Sequence, residues 1–472
     1  MLLQYFTLLR FEWMISLIII ALFILNLNGF DKKANSFLNV VNVLLLANFV
    51  VGFLPMMNGH LFDNFFRTSG LIALEKNVLN IGLLLISLSA SRWLKTFDNR
   101  CEFYMLMLSS VLGMFVMISS GHVLALYIGL ELTSIPVAAL AALQTDSKKS
   151  SEAGIKYIMN SAFSSGITLF GISLLYGAVG SLGFNEIIAS IQQPNALILL
   201  SFVLILSGFG FKMSMVPFHL WTADVYEGAP TPVTNFLSVL SKGAVVFIFL
   251  TVLYQVFGAL KEEWLYAISI LAAITMTVGN LFAMRQTNLK RFLAFSSISQ
   301  VGFVLVGIAG ASQIGMDSAI YFIIIYLFSN IALFSVVGAI GEATGKEDIN
   351  SYKGLFKTNP FYALVFAIAL FSLAGVPPTA GFFGKFFLIT SGLGSQLYIL
   401  LAIATVNMVL SLYNYLRVVR AIVISAPDEE SVPTIKGSKL TATVLVVCTI
   451  AIISLGFIGS LYKLIDVLGS AI

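Results

Sequence analysis

One glutamate and three lysines stand where the chain is otherwise apolar. They are Glu131 in "LYIGLELTSIP", Lys212 in "GFGFKMSMVPFHLW", Lys242 in "FLSVLSKGAVVFIF" and Lys385 in "GVPPTAGFFGKFF". A charge near the middle of a bilayer costs at least about 2.5 kcal/mol, so each of these side chains needs a partner, water or a task. One carboxylate cannot neutralise three lysines, so a purely static ion pair such as Glu131 with Lys212 leaves two ammonium groups unpaired. Burial and a nearby carboxylate pull the proton affinity of an amine in opposite directions. A glutamate–lysine pair that separates and rejoins therefore releases and regains a proton. A row of such groups joined by water is a proton relay.

Other charged or polar residues stand around these four. Glu152 and Lys156 are spaced i, i+4, which a local helix pair explains and which also suits proton uptake. His219 follows Pro217 by two residues and is a further relay candidate, as are Ser296 and Gln300. Glu75 and Lys76 are adjacent, point about 100° apart on a helix, and read as residues near a membrane interface. Cys101 and Cys448 lie far apart, and His60, His122 and His219 are the only histidines. No CxxC, zinc or cluster-binding spacing results, so no metal site is expected. No nucleotide-binding glycine motif is present, and "GFGFKM" lacks the third glycine of a dinucleotide fingerprint.

The elements that must position these residues are membrane helices. The chain has 472 residues, 58% hydrophobic and 10% charged, with a mean hydropathy of +0.97, which only an integral membrane protein sustains. The first apolar stretch, "WMISLIIIALFILNLNGF", is too long for a signal-peptide core and lacks a cleavage site. Hydropathy predicts fourteen helices over roughly 12–30, 36–57, 69–91, 102–120, 122–143, 152–179, 194–218, 231–258, 263–284, 289–311, 317–341, 359–391, 396–424 and 439–463. The loops divide the basic residues unevenly, with 17 on one side of the membrane, Lys436 among them, and 4 on the other. The positive-inside rule makes the richer side cytoplasmic and places both termini outside.

The chain contains its own repeat. "EAGIKYIMNSAFSSGITLF" from residue 152 resembles "DSAIYFIIIYLFSNIALF" from residue 317, an offset of 165. The fold class expected is therefore all-α and polytopic, with residues 1–101 forming three leading helices. Residues 102–260 form one five-helix unit, 261–425 a second, and 426–472 a last helix. Five is odd, so the second unit is inverted relative to the first, as in transport folds with broken helices. The seventh and twelfth segments are the broken ones: Pro217 interrupts the first, and Pro377 and Pro378 with Gly375, Gly381 and Gly384 the second. Unwound backbone in a membrane needs protein or a water-filled cavity around it, so the second break is expected to open a polar pocket that wets Lys385.

The stretches "LYIGLELTSIPVAAL", "GFGFKMSMVPFHLWTADVYEGAPTPVTNFLSVLSKGA", "QTNLKRFLAFSSISQVGF" and "GVPPTAGFFGKF" resemble the antiporter-like membrane subunits of respiratory complex I, the NADH-quinone oxidoreductase. The resemblance is greatest to the subunit N family, and "DVYEGAPTPV" is its most specific stretch. It implies a proton-translocating translocase subunit whose path falls on Glu131, Lys212, Lys242 and Lys385. It also implies that this chain holds no cofactor, and that FMN, iron–sulfur clusters and quinone belong to partner chains. Subunits M and K are the expected neighbours, in a bacterial plasma membrane and without nucleic acid. Subunit M usually has glutamate where this chain has Lys385, and many relatives have histidine where it has Gln300. Ser296, Ser297, Ser299 and Gln300 with water are the bridge expected in its place. The competing readings are a subunit of a multi-chain sodium/proton antiporter, a membrane-bound hydrogenase module, and a passive scaffold.

Overall fold

The computed structural model describes residues 2–55, 58–191, 193–424, 432–435 and 437–470; Lys436 and the 425/426 boundary lie outside them. After a short helix over Leu2–Leu8 come three long ones: α1 (Arg10–Leu27), α2 (Ala34–Val51) and α3 (Gly70–Ser89). Between α2 and α3 the chain makes an antiparallel hairpin, β1 (Gly59–Leu61) and β2 (Phe66–Thr68), in register His60 opposite Arg67. The fold is all-α and polytopic as expected, and this short hairpin is its one sheet among the described residues. Phe62, Asp63 and Asn64 all take positive φ, a tight turn that short apolar strands can follow.

Then come α4 (Arg100–Ile118), α5 (Val123–Ala141), α6 (Lys148–Val179), α7 (Ala196–Met213), the short α8 (Leu220–Gly228) and α9 (Thr231–Val256). The remaining helices are α10 (Lys261–Arg285), α11 (Leu289–Ala309), α12 (Gln313–Thr344), α13 (Pro360–Ala374), α14 (Ala380–Ser391), α15 (Tyr398–Val423), α16 (Lys439–Phe457) and α17 (Ser460–Gly469). Among the described residues 13 helices are long and apolar enough to cross a membrane. The shorter α13 and α14 follow one another within a single predicted segment, as the fourteen-segment reading expects. The predicted last helix is instead two: Ile458 is extended, and α17 begins just after Gly459.

The two units repeat one another in detail. Helices α6 and α12 are each 32 residues long and start 165 residues apart. Each is N-capped by a serine, Ser147 or Ser312, and each ends at a glycine of positive φ, Gly180 or Gly345. The tightest helix pairs are α4 with α5 and α10 with α11. Both rest on glycine: a Cβ on Gly113 would meet Thr133 N at 2.6 Å, and one on Gly279 would meet Ser299 N at 2.6 Å. Backbones approach that closely only where a side chain is missing, the usual device of membrane helix packing.

Burial separates the helices. In α1 and α2 only 22% and 28% of the apolar window is buried, whereas in α9 and α12 it is 94% and in α11 100%. Helices α9, α11 and α12 therefore form the axis of the molecule. Helix α9 carries two π-helical stretches, Leu237–Ser241 directly before Lys242 and Val252–Val256 near its far end. Such bulges change which face a helix presents.

Candidate functional site

Lys212 is the penultimate residue of α7 and is buried. Ser214 follows in the left-handed conformation, and the chain turns before α8 begins at Leu220. The turn is stitched to the second unit, because Val216 N donates to Thr275 Oγ1 of α10 at 3.1 Å. The Lys212 ammonium donates to Ser134 on α5 and to Ser161 on α6, the latter at 3.0 Å. Glu131, half-buried in the middle of α5, accepts from Ser165 on α6. The two charges do not form a direct ion pair among the described residues, yet they interact electrostatically. Two serines stand at the lysine and one at the glutamate, so hydroxyls line the space between the two charged groups.

Lys242 lies twelve residues into α9 and is buried. Its Nζ donates to Ser297 on α11 at 2.7 Å and stands 5.5 Å from the centre of the Tyr226 ring. The hydroxyls of Tyr226 and Tyr326 lie beside Ser297, and neither makes a hydrogen bond among the described residues. From there the polar groups continue on α15: Tyr415 shares a hydrogen bond with Ser296 at 2.5 Å and accepts one from Gln300 Nε2 at 2.8 Å. Gln300 Nε2 also donates to Leu373 O at the end of α13, and its Oε1 is buried without a partner. Ser296 and Gln300 thus meet at the Tyr415 hydroxyl, and Ser297 lies at Lys242. Ser299 turns instead to Asn280 on α10 at 3.0 Å.

Lys385 is fully buried on α14, one helical turn beyond Gly381. Its Nζ has no hydrogen-bond partner among the described residues and sits 4.2 Å above the centre of the Phe303 ring. Phe303 is one turn from Gln300 on α11, so Lys385 stands against that helix one turn from Gln300. The expected polar pocket at the second break is corrected by this geometry. Gly375 N reaches Phe371 and Ser372, Val376 N reaches Phe371, and Thr379 N and Oγ1 both reach Val376 O. The break closes on itself, and a Cβ on Gly381 would meet Ser372 O at 1.8 Å. The space between the half-helices is filled by backbone.

At the basic side of the membrane, the motif "DVYEGAP" has an evident purpose. Asp224 accepts from Lys156 at 2.6 Å and from Arg291 at 2.7 Å, while Glu227 accepts from Arg291 and Lys149, each at 2.9 Å. The expected Glu152–Lys156 pair is present at 2.6 Å, and Asp224 is its third member. Buried Lys290 pairs with Glu347 at 2.8 Å. Helix α8 lies outside the spans. Burial raises the proton affinity of Asp224, but its bonds to Lys156 and Arg291 outweigh that and hold it below the usual carboxylate range. Beside this network lies a cavity of about 730 Å³ that reaches Asn235 and Ser335. The Asn235 Oδ1 is buried without a partner. His219 is buried at the head of α8, but no side-chain hydrogen bond joins it to the lysines among the described residues.

Sequence reasoning missed Ser134, Ser161, Ser165, Tyr226, Tyr326 and Tyr415. Only Tyr415 leaves a signal. Asn407, Ser411, Asn414 and Tyr415 recur at helical spacing in an apolar segment, and all four are buried.

Residues 120–411 match the transmembrane family described as NADH:quinone oxidoreductase/Mrp antiporter. Over 414 residues the chain is 45% identical to NADH-quinone oxidoreductase subunit N of Azobacteroides pseudotrichonymphae genomovar. CFP2, covering 87% of this chain and 86% of the relative. Identity to subunit N of Phocaeicola vulgatus is 44%, covering 86% of each. Among solved structures, a chain of respiratory complex I from Thermus thermophilus aligns with a TM-score of 0.79 at 26% identity, covering 95% of this chain and 97% of that one. A chain of the Mrp complex from Dietzia sp. DQ12-45-1b shares the fold, with a TM-score of 0.87 at 21% identity over 100% of this chain and 97% of that one. By its matched span, its identity to these relatives and its architecture, the chain belongs to the NADH-quinone oxidoreductase subunit N family of antiporter-like membrane proteins.

Proposed function

We propose that the chain is the proton-translocating membrane subunit of a bacterial NADH-quinone oxidoreductase. NADH oxidation and quinone reduction occur in partner subunits that hold the FMN, iron–sulfur clusters and quinone, and this chain moves protons in response. Subunits M and K flank it in the plasma membrane, and both termini face outward, as the 17-to-4 division of basic residues favours. Residues 102–260 and 261–425 act as the two units.

The carrying observation is the set of three buried lysines that meet hydroxyls and aromatic rings in place of carboxylates. A lysine locked in an ion pair stays charged, whereas one on a serine can give up its proton and keep the contact as an acceptor. Protons reach Lys242 from the cavity at Asn235 or from Lys212. They then cross Ser297, Tyr326, Tyr415 and Gln300 toward Lys385. Glu131, across the serine-lined gap, is the carboxylate that Lys212 faces on this route.

Two measurements test this. The tagged protein, drawn from membranes in mild detergent, should bring NADH oxidation by an added quinone with it; a complex free of redox subunits overturns the reading. Lys212→Ala should assemble and lose most proton translocation, and normal pumping in that variant overturns the relay.

A further inference from the structure

A second group of buried charges lies in the three leading helices, away from the relay. Lys76 on α3 is fully buried and forms an ion pair with Glu12 on α1. Its Nζ lies 5.0 Å from the centre of the Phe66 ring and 5.7 Å from those of Phe11 and Phe115. This is a static fastener between two helices, because cation and anion are matched and walled in by rings. Its neighbour Glu75 is different. It is only 5% exposed and makes no hydrogen bond or ion pair among the described residues. The second oxygen of Glu12 is likewise buried without a partner. Both residues lie in the first two turns of α3, buried against protein.

The position of Glu75 follows from α3's periodicity. Glu75, Leu79 and Gly82 share one face at i, i+4 and i+7. A Cβ on Gly82 would meet Leu240 of α9 at 2.9 Å and Leu327 of α12 at 3.0 Å. One on Gly243, next to Lys242, would meet Ile323 at 3.3 Å and Leu79 at 3.9 Å. Glu75 is thus on the face of α3 that packs against the Lys242 helix. It lies one turn beyond the level of Lys242, about 6 Å toward the side where α1 begins.

Resting on the function proposed above, we infer that Glu75 is a second exit for the proton held at Lys242, a branch taken before Ser297: it receives the protons that do not cross to Lys385 and delivers them to the outer face. The Lys242 ammonium gives up a proton and becomes an amine; the Glu75 carboxylate takes that proton through water and becomes a carboxylic acid. Glu75 then releases the proton outward and is a carboxylate again, while Lys242 is recharged from the cytoplasmic side. Leu79, buried between the two levels, is the plug that keeps this passage dry until water enters. A pump needs such a plug, since a permanently wet path would carry protons back.

Beyond Glu75 stands Arg67 of β2, within its electrostatic reach. Arg67 donates to Gln255 in the outer π-helical stretch of α9 at 2.7 Å and to Ser120 O at 2.9 Å. That holds a positive charge at the outward end of the path, where it stabilises the carboxylate after release. The charged groups on elements packed against α3 are Lys242 on α9, Arg100 and Glu102 on α4, Arg92 and Lys95 on the short helix Ser91–Thr96, Asp317 and Glu342 on α12, Lys439 on α16, and Lys463 and Asp466 on α17. Lys76 lies on α3 itself, and Glu12 of α1 reaches it.

The test uses the whole complex in proteoliposomes, with Glu75→Gln, Glu75→Asp and Lys212→Ala compared. Glu75→Gln is expected to lower the initial rate of proton translocation per NADH oxidised at least twofold. Glu75→Asp is expected to restore most of it with a shifted dependence on pH at the release face, which a merely structural residue would not produce. Unaltered translocation in Glu75→Gln beside an impaired Lys212→Ala overturns this inference and leaves the proposed function standing. Unaltered translocation in both overturns the proposed function itself. Where Glu75→Gln fails to assemble, Glu75→Asp decides: an unshifted release-face pH profile overturns the inference, and a shifted one supports it.

Discussion

Lys242 of α9 donates to Ser297 of α11 across 2.7 Å, a bond that joins the first unit to the second. It is the only hydrogen bond of that ammonium group among the described residues. In the proposed route, passage from Lys242 to α11 therefore narrows to this one hydroxyl.

Ser297→Ala removes that hydroxyl and leaves the lysine buried without a partner. A hydrogen bond to a charged group is worth about 1.5–3 kcal/mol, and about 1.4 kcal/mol is tenfold in rate. Coupled turnover should fall about tenfold in the assembled complex, measured as quinone-dependent NADH oxidation with simultaneous proton uptake. A variant pumping at the unsubstituted rate would show that the path bypasses Ser297.

Tyr415→Phe takes away the hydroxyl shared by Ser296 and Gln300. The ring remains, so packing against Phe292 at 6.0 Å persists. The complex should assemble and pump several-fold more slowly, while the hydrogen bond from Gln300 to Leu373 O preserves the α11–α13 contact. Equal losses of assembly and pumping would instead mark Tyr415 as a packing residue.

Asp224 and Glu227 give the basic side of the molecule a defined response to acid. Their bonds to Lys156, Lys149 and Arg291 outweigh burial and hold both carboxyls below their ordinary range. Groups depressed in the folded state contribute stability that is full above the unfolded-state values, about 3.9 for Asp and 4.3 for Glu, and is lost as pH falls through the lower folded-state values. Thermal stability of the complex should therefore be level at neutral pH and drop in this acid window. Asp224→Asn should shrink that drop and cost about 1 kcal/mol at pH 7, the upper end for solvent-screened pairs. A melting-temperature profile against pH reads both effects.

Gly381→Ala tests the closed break. Its Cβ would meet Ser372 O at 1.8 Å, so α13 and α14 must part, at about 1–3 kcal/mol or more. The assembled yield and melting temperature should both fall. Gly341→Ala in α12, where a Cβ meets nothing within 4 Å, is the matching control and should leave both unchanged.

How much of this was legible beforehand differs from residue to residue. Lys212, Lys242 and Lys385 stand out because a charge in an apolar segment is rare enough to need a reason. Their partners do not stand out. Serines in membrane helices commonly bond their own backbone, as Ser134 does to Leu130 O at 2.5 Å. Nothing local distinguishes the ones that also receive a lysine from a helix 78 residues away. Glu12 was passed over because a carboxylate at the head of a membrane helix is ordinary, and only the packing of α1 on α4 and α3 turns it inward to Lys76. The prolines and glycines around residue 378 do announce a broken helix. They say nothing of whether the gap is wet, since filling it depends on Ser372 and on the stem of Lys385, whose Cδ lies 3.1 Å from where a Cβ of Gly375 would stand.

The repeat offset of 165 is visible in one pair of helices; the caps and lengths of α6 and α12 keep it, and the close glycine contacts at Gly113 and Gly279 recur at 166.

Helix α11, with its whole apolar window buried, has no face for lipid. Ser296, Ser297 and Gln300 are therefore insulated from whatever membrane the cell makes, and a change of acyl chains or headgroups cannot reach them directly. What can reach them is volume. A methyl group added anywhere along this helix must displace protein, so the helix trades freedom to vary for independence from its solvent.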